Sequence, residues 1–170
     1  MDAHLSALLR ALESNNGLER KRARETLVLV GEPAVPRLVA LLGSTKKQLR
    51  WEAAKALEAM VQPEVLDRLV DLLSDADSDI RWLAASGLIG LGPRSVVPVL
   101  KSLLGAPPPR GQREMCHRIL RQLSAENSVL AGIVAPVIEA LESNDPTPLP
   151  TRAERALSEL DRVTGRLPAG

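Results

Sequence analysis

One eight-residue segment occurs twice in this chain, within a longer repeated pattern. Residues 50–57 read RWEAAKAL and residues 81–88 read RWLAASGL, an offset of about 31 residues. The pair Leu41-Leu42 recurs at the same offset as Leu72-Leu73. A period of about 30 residues is typical of stacked supersecondary units, none of which can bury its apolar side alone. The sequence therefore predicts a repeat array, a class of protein that usually offers a binding surface rather than a reaction centre.

Composition restricts both the core and the partners of such an array. The 170 residues include no Phe, no Tyr and two Trp, while hydrophobic residues make up 45% of the chain. The core must therefore come from Leu, Val, Ile and Ala, which favours closely packed helices over a β-sandwich. The 22 basic and 21 acidic residues leave a formal charge of +1. At this net charge, the protein has no overall electrostatic field that would attract it to nucleic acid or to a membrane surface.

The period divides a single domain, residues 1–170, into five helix pairs. We place them at residues 3–31, 33–62, 63–92, 93–124 and 127–164, followed by a tail at residues 165–170 that we expect to fray. The fifth pair is displaced from the period, and its helices are predicted near residues 133–142 and 152–163. In each second helix, apolar residues recur at the spacing of one helix face. This stripe consists of Leu49, Ala53, Leu57 and Met60 in the second pair and of Ile80, Ala84, Leu88 and Leu91 in the third.

The repeated unit has a recognisable form: a helix with a Leu-Leu pair, a short polar turn, then hydrophobic-Arg-x-x-Ala-Ala-x-x-Leu. Residues 49–54 (LRWEAA) and 80–85 (IRWLAA) carry it most clearly. The pattern resembles the short form of the HEAT repeat, which is found in many bacterial scaffold proteins and in phycobilisome lyase subunits. The resemblance implies a bacterial, all-α protein: a right-handed α-solenoid of about five antiparallel helix pairs, with first helices on the convex side and second helices on the concave side. Arg50 and Arg81 match the family position that ties neighbouring turns together, so we expect a structural role for both.

The second helices also predict which side chains face the concave groove. With each residue turning the helix by about 100°, the core positions lie within roughly 80° of Ile80, whereas Trp82 lies at roughly 200° and Ile89 at roughly 180°. The same geometry exposes Trp51, so both tryptophans are expected at equivalent places on the groove, where Trp and Arg are common binding hot spots. The alternative is that each Trp packs over the seam between repeats. The predicted partner-binding residues are Trp51, Lys55, Glu58, Trp82, Ser86, Ile89, Glu114, Arg118 and Arg121.

Charge changes sign along the array. Among the charged residues, acidic side chains predominate in residues 61–95 and basic side chains in residues 96–125. This change of sign fits a polypeptide partner better than the uniform phosphate backbone of a nucleic acid. A second basic cluster at residues 20–24 is interpreted as a solvated helix face.

Catalytic, cofactor-binding and metal-binding residues are not predicted. His4 and His117 are far apart, and neither is followed by Glu, as a paired metal site on this fold would require. The acidic turn at residues 74–79 lacks the glycine and terminal Glu of a calcium loop, so we interpret it as a helix cap. Cys116 is the only cysteine, which excludes an internal disulfide, and we expect it to be buried and structural.

These observations predict a non-enzymatic protein–protein interaction module, an adaptor or scaffold subunit that binds a polypeptide in its concave groove. One alternative is a bilin lyase-like or chaperone subunit, as in some relatives of the resembling family. Another is a nucleic-acid binder that uses residues 20–24 and 110–121. No apolar stretch approaches the roughly 18 residues needed to span a bilayer, and no leader pattern begins the chain, so a cytoplasmic location is expected. The oligomeric state stays open.

Overall fold

A computed structural model describes residues 2–60 and 65–165, and every regular element within these ranges is helical. The α-helices are α1 (Asp2–Ala11), α2 (Gly17–Val30), α3 (Val35–Leu42), α4 (Lys47–Met60), α5 (Leu66–Asp71), α6 (Ser78–Gly90), α7 (Val96–Lys101), α8 (Arg110–Ser124), α9 (Ser128–Glu142) and α10 (Leu149–Thr164). Short 3₁₀ segments occupy Glu32–Ala34, Leu72–Ser74 and Gly92–Ser95. The predicted boundary at residues 62 and 63 and the tail after Gly165 lie outside the described residues.

Local sequence signals fix where several helices begin. Asn16, Asp77 and Asn127 precede α2, α6 and α9, and each side chain accepts a hydrogen bond from a backbone N–H of the first turn. Between pairs, Gly31 and Gly92 adopt φ values of 72° and 73°, a left-handed conformation that glycine tolerates best. In both connections a proline follows within two residues and is the second residue of a 3₁₀ segment that leads into the next first helix.

The helices form two layers. The second helices α2, α4, α6 and α8 pack side by side in chain order, and we call them the second-helix layer. Each packs against the first helix of its own pair, α1, α3, α5 or α7. The chain is therefore an all-α solenoid, as the repeat period predicts. Within the described ranges, no helix is long and apolar enough to cross a membrane.

The core is aliphatic, as the composition predicts. The eight stripe residues of α4 and α6 are all buried, which confirms the helix faces assigned from the sequence. The largest fully buried side chains are Leu12, Leu27, Leu38, Leu57, Leu69, Leu73, Ile80, Leu88, Leu100, Leu103, Ile119 and Leu120. Burying one such side chain contributes about 1.5 to 3 kcal/mol, so the stability of each pair depends on the neighbours that cover its leucines.

Small residues bring α4 and α6 close together. Ala54 and Ala85 have no exposed surface. A Cβ added to Gly87 would lie 2.8 Å from a methyl group of Leu69 and 3.3 Å from the Cα of Glu58. A side chain at position 87 would therefore require the Leu69 methyl group and the α4 backbone at Glu58 to shift, which shows how closely α6 approaches α4.

The last helix pair is reversed relative to the others, which corrects the order implied by the resemblance. Its first helix, α9, packs beside α8 and so extends the second-helix layer, whereas α10 packs against α7 and α9. The connection from α8 to α9 is only residues 125–127 and contains neither Gly nor Pro. This connection lacks the positive-φ glycine found at Gly31 and Gly92, and it leads α9 to the side of α8 rather than back to the first layer.

The start of α9 also differs from the prediction. Asn127 caps the helix, its Oδ1 accepting from the N–H of Leu130 at 2.9 Å, so α9 begins at Ser128 rather than near residue 133. Pro136 consequently lies inside the helix and not in its first turn. The Pro136 carbonyl accepts a hydrogen bond from Arg152 Nη1 at 2.8 Å, which joins α9 to α10.

Candidate protein-binding face on the second helices

The two repeated arginines hold the turns of the array together. Arg50 Nη1 donates to the Ser44 carbonyl of its own turn at 3.1 Å, and Arg50 Nε lies 3.4 Å from an oxygen of Asp75 in the next turn. Arg81 Nη1 donates to the carbonyls of Asp75 and Ala76 at 2.8 and 3.0 Å. Arg50 therefore ties neighbouring turns together as expected, whereas the hydrogen bonds of Arg81 support its own turn.

Trp82 lies on the outer surface of α6. Its side chain is 49% exposed, and the guanidinium carbon of Arg118, on α8, lies 4.8 Å from the ring centroid. Arg118 also donates to Ser86 Oγ at 3.3 Å. A guanidinium over an indole face is attracted by the ring quadrupole, so three of the predicted residues form one cluster. The expectation that Trp82 faces solvent is confirmed.

Trp51 is less exposed than predicted. It is half-buried and packs against the core, and the Arg24 guanidinium carbon lies 5.4 Å from its ring centroid. Ile89, predicted to face solvent, is also half-buried against the core. The reason is that α2 and α6 flank α4, and α4 and α8 flank α6, so neighbouring helices cover positions that a single-helix projection leaves open.

The other predicted residues are distributed along the same layer. Lys55 and Glu58 are half-buried and pair with each other at 2.8 Å on α4, so Glu58 is not the fully exposed residue we expected. Glu114 is exposed and pairs with Arg110 at 2.9 Å. Arg121 is exposed. Trp51 and Trp82 belong to separate clusters, one between α2 and α4 and the other between α6 and α8.

A buried carboxylate beside Trp51 was not predicted. Glu52 is 2% exposed. It accepts hydrogen bonds from Arg20 Nε at 3.0 Å, from Gln48 Nε2 at 2.9 Å and from Arg24 Nη1. The basic cluster at residues 20–24 is therefore only partly a solvated face, since two of its arginines hold a charge inside the α2–α4 interface.

A sequence signal for this network was present. Glu52 aligns with the buried Leu83 of the next repeat, and it lies about 60° from Leu49 on the helix, at the edge of the apolar stripe. Arg20 and Arg24 are four residues apart and therefore share one face of α2. A carboxylate at a leucine position, opposite two aligned arginines, indicates a buried ion-pair network.

The acidic turn of the third pair caps α6 and bridges to the second pair. Asp77 Oδ1 accepts from the Asp79 N–H at 2.9 Å, and Asp77 Oδ2 lies 2.6 Å from Lys47 Nζ. The hydrogen bond from Lys47 lowers the pKa of Asp77, and the same bond raises the pKa of Lys47. The carboxylates of this turn are thus used for capping and pairing.

Cys116 and His117 on α8 are the residues of this face that could act as a nucleophile or a metal ligand. Cys116 has no exposed surface, and burial raises the pKa of its thiol to about 12, so the residue is structural, as predicted. His117 Nε2 lies 2.7 Å from Glu142 on α9. Across the described parts of the chain, His, Cys, Asp and Glu side chains form no group of three or more that could hold a metal ion.

Comparison with known proteins identifies the family. The sequence profile described as HEAT repeats matches residues 5–89, half of the chain. The chain belongs to the HEAT-repeat family. No curated protein matches it.

Two solved structures show the extent of the fold similarity. A chain in the complex of CpcE and CpcF of phycocyanin lyase from Nostoc sp. PCC7120 superposes with a TM-score of 0.61 at 24% identity, and the match covers 92% of this chain and 99% of that one. An engineered protein matches at 23% identity with a TM-score of 0.43, covering 92% of this chain and 79% of its own. At 24% identity the similarity to the Nostoc chain establishes the fold alone.

Proposed function

We propose that this HEAT-repeat chain is a non-enzymatic interaction module, an adaptor or scaffold subunit that binds a polypeptide partner through its second-helix layer. The observation that carries the proposal is Trp82, whose large ring is half in water at 49% exposure, beneath Arg118. Trp and Arg are the residues most enriched at binding hot spots. Burying this pair under a partner would remove apolar surface from water and strengthen the cation–π contact.

The surroundings of Trp82 suit a polypeptide better than a uniform polyanion. Arg118 is already bound to Ser86, and Arg110 is paired with Glu114 on the same helix. Exposed Arg121 lies one turn further along α8. Such mixed charge around an aromatic centre matches the polar rim and apolar core of protein interfaces. The structural neighbour from Nostoc is a component of a two-protein complex, which is consistent with a role in assembly.

A second candidate is a bilin lyase-like or chaperone subunit. It is favoured by the similarity to a phycocyanin lyase chain over 99% of that chain's length. Purified protein that carries a tetrapyrrole would absorb visible light. Visible absorbance that remains through gel filtration would favour this candidate, and a colourless protein that fails to take up added tetrapyrrole would count against it.

Nucleic-acid binding is the weaker alternative. Arg20 and Arg24 are engaged by Glu52, and Arg110 is engaged by Glu114, so several cations of the two basic segments are already neutralised. Retention of DNA or RNA that falls steeply with salt would favour this alternative.

Affinity capture with matched variants tests the main proposal. Wild-type protein, Trp82→Ala and a control, Val97→Ala, would each be immobilised. Val97 is 39% exposed but lies on α7, outside the second-helix layer. We expect a partner captured by wild type and by Val97→Ala to be lost with Trp82→Ala. Equal capture by all three would exclude Trp82 from the interface.

A further inference from the structure

A groove runs along the interface between α2 and α4. An open recess of about 730 Å³ lies between the amino-terminal halves of the two helices, and a second of about 420 Å³ lies between their carboxyl-terminal halves. Arg24 lines both recesses, so they adjoin at its side chain. We call the combined feature the α2–α4 groove. From Lys47 to Ala59 it follows thirteen residues of α4, which span about 18 Å at a rise of about 1.5 Å per residue.

The two ends of the groove differ in chemistry. The amino-terminal end is lined by four cationic side chains, those of Arg20, Lys21, Arg24 and Lys47, against the carboxylates of Glu52 and Asp79. The carboxyl-terminal end is lined by Val28, Leu29 and Ala59 beside the paired Lys55 and Glu58. The Leu29 side chain is 87% exposed. The lining of the first recess thus has two more cations than carboxylates, with Lys47 already paired to Asp77 and Asp79. The second recess adds three aliphatic side chains among four charged ones.

Glu52 holds the centre of the groove in one arrangement. Its carboxylate binds Arg24, and Arg24 covers the Trp51 ring in the middle of the groove. The next repeat has Leu83 at the corresponding buried position. A buried ion pair is a poor source of stability compared with packed leucine, so its presence here is better explained by what it positions. A ligand in the groove would meet Arg24, and Glu52 would act through that side chain as a positioning residue.

We propose that the α2–α4 groove binds an amphipathic peptide segment with carboxylates at one end and aliphatic side chains at the other. The carboxylates lie beside Lys21, whose exposed pairing with Glu25 spans 3.8 Å. The aliphatic side chains cover Leu29 and Val28, and the Trp51–Arg24 pair contacts the middle. The argument is charge complementarity at one end and apolar burial at the other. This inference rests on the proposed protein-binding function and names the type of segment that the partner presents.

Labelled peptides of about 14 residues, enough for roughly four helical turns, provide the probe. One carries three Glu at one end and Leu at helical spacing at the other. A second replaces the Glu with Lys, and a third has the composition of the first in scrambled order. Fluorescence anisotropy reports binding. In a Trp82→Phe protein, Trp51 is the only tryptophan, so its emission shows whether the peptide lies in this groove.

We expect the Glu peptide to bind at least about tenfold more tightly than the Lys or scrambled peptide, and to shift the Trp51 emission. Lys21→Glu and Leu29→Asp, both at exposed positions, should each weaken binding about tenfold. Glu52→Gln should weaken binding of the same peptide while circular dichroism stays unchanged. Arg94→Glu, at an exposed position in the 3₁₀ segment Gly92–Ser95 and outside the groove lining, is the charge-reversal control and should bind as wild type.

Equal binding of the Glu and Lys peptides, absence of binding, displacement by an oligonucleotide, or insensitivity to Leu29→Asp would each overturn the proposal. Binding of the natural partner to the same variants distinguishes a failure of the groove proposal from a failure of the broader protein-binding function. If partner binding is lost with Trp82→Ala but retained by Lys21→Glu and Leu29→Asp, the groove proposal fails and the protein-binding function stands. If Trp82→Ala and both groove variants bind the partner as wild type does, both proposals fail.

Discussion

Removal of the Glu52 carboxylate should destabilise the fold more than any exposed substitution. Glu52 is 3% exposed at its side chain, and Arg20 and Arg24 are 21% and 16% exposed. Breaking a fully buried ion pair costs about 3 to 5 kcal/mol because a charge stays buried without a partner. Both arginines retain some contact with water, so we expect about 2 to 3 kcal/mol for Glu52→Ala. For a protein of this size, this corresponds to a loss of about 5 to 10 °C in Tm.

Urea unfolding followed by circular dichroism would measure this loss. Glu25→Ala is the matched control, since Glu25 lies on α2 and pairs with Lys21 at 3.8 Å with both side chains exposed. It should change the free energy of unfolding by no more than about 0.5 kcal/mol. Replacing the whole network, as in Arg20→Met/Arg24→Met/Glu52→Leu, should recover most of the loss. Equal unfolding midpoints for Glu52→Ala and Glu25→Ala would refute the reasoning.

Three further predictions concern packing, reactivity and pH. Ala85→Leu should lower the free energy of unfolding by about 1 to 3 kcal/mol, because the α4–α6 contact has no room for it; an unchanged urea midpoint would contradict this. Cys116, with its pKa raised to about 12, should react with a thiol reagent only on unfolding, so rapid labelling of native protein would contradict its burial. The lowered pKa of Asp77 means that its pairing with Lys47 stabilises the fold above its unfolded pKa near 3.8 and is lost as the pH falls below that value. Asp77→Asn keeps the helix cap, so its Tm should lie below that of wild type at pH 6 and approach it near pH 3; a constant difference would contradict the linkage.

The sequence predicted the features that depend on one helix and its period. Leu49, Leu57 and Ile80 are buried where the 3.6-residue spacing placed them, and Trp82 is exposed on the opposite face of α6. The apolar stripe of each second helix must be covered by the adjacent helix pair, whatever the sequence of that pair. The buried and exposed faces of one helix can therefore be predicted from its own residues.

Features that depend on two helices were harder to predict. Trp51 and Ile89 are half-buried because neighbouring second helices cover them, and a projection of one helix cannot include that contact. The buried state of Glu52 depends on Arg20 and Arg24, which lie 32 and 28 residues away in sequence. The repeat pattern predicted that α9 and α10 would pack like the earlier pairs. Their reversed order follows a connection of only three residues, 125–127, and is visible only in how the two helices pack.

A titration of the captured partner against Trp82→Ala tests the central claim most directly. Because the side chain is 49% exposed, the truncation should cost only about 1 to 2 kcal/mol of stability, less than for a buried Trp. Partner binding should weaken by at least about 2 kcal/mol, a rise of about 30-fold in Kd, whereas Val97→Ala should bind as wild type. A folded Trp82→Ala protein that binds the partner with wild-type affinity would contradict the claim that Trp82 is the centre of the binding face.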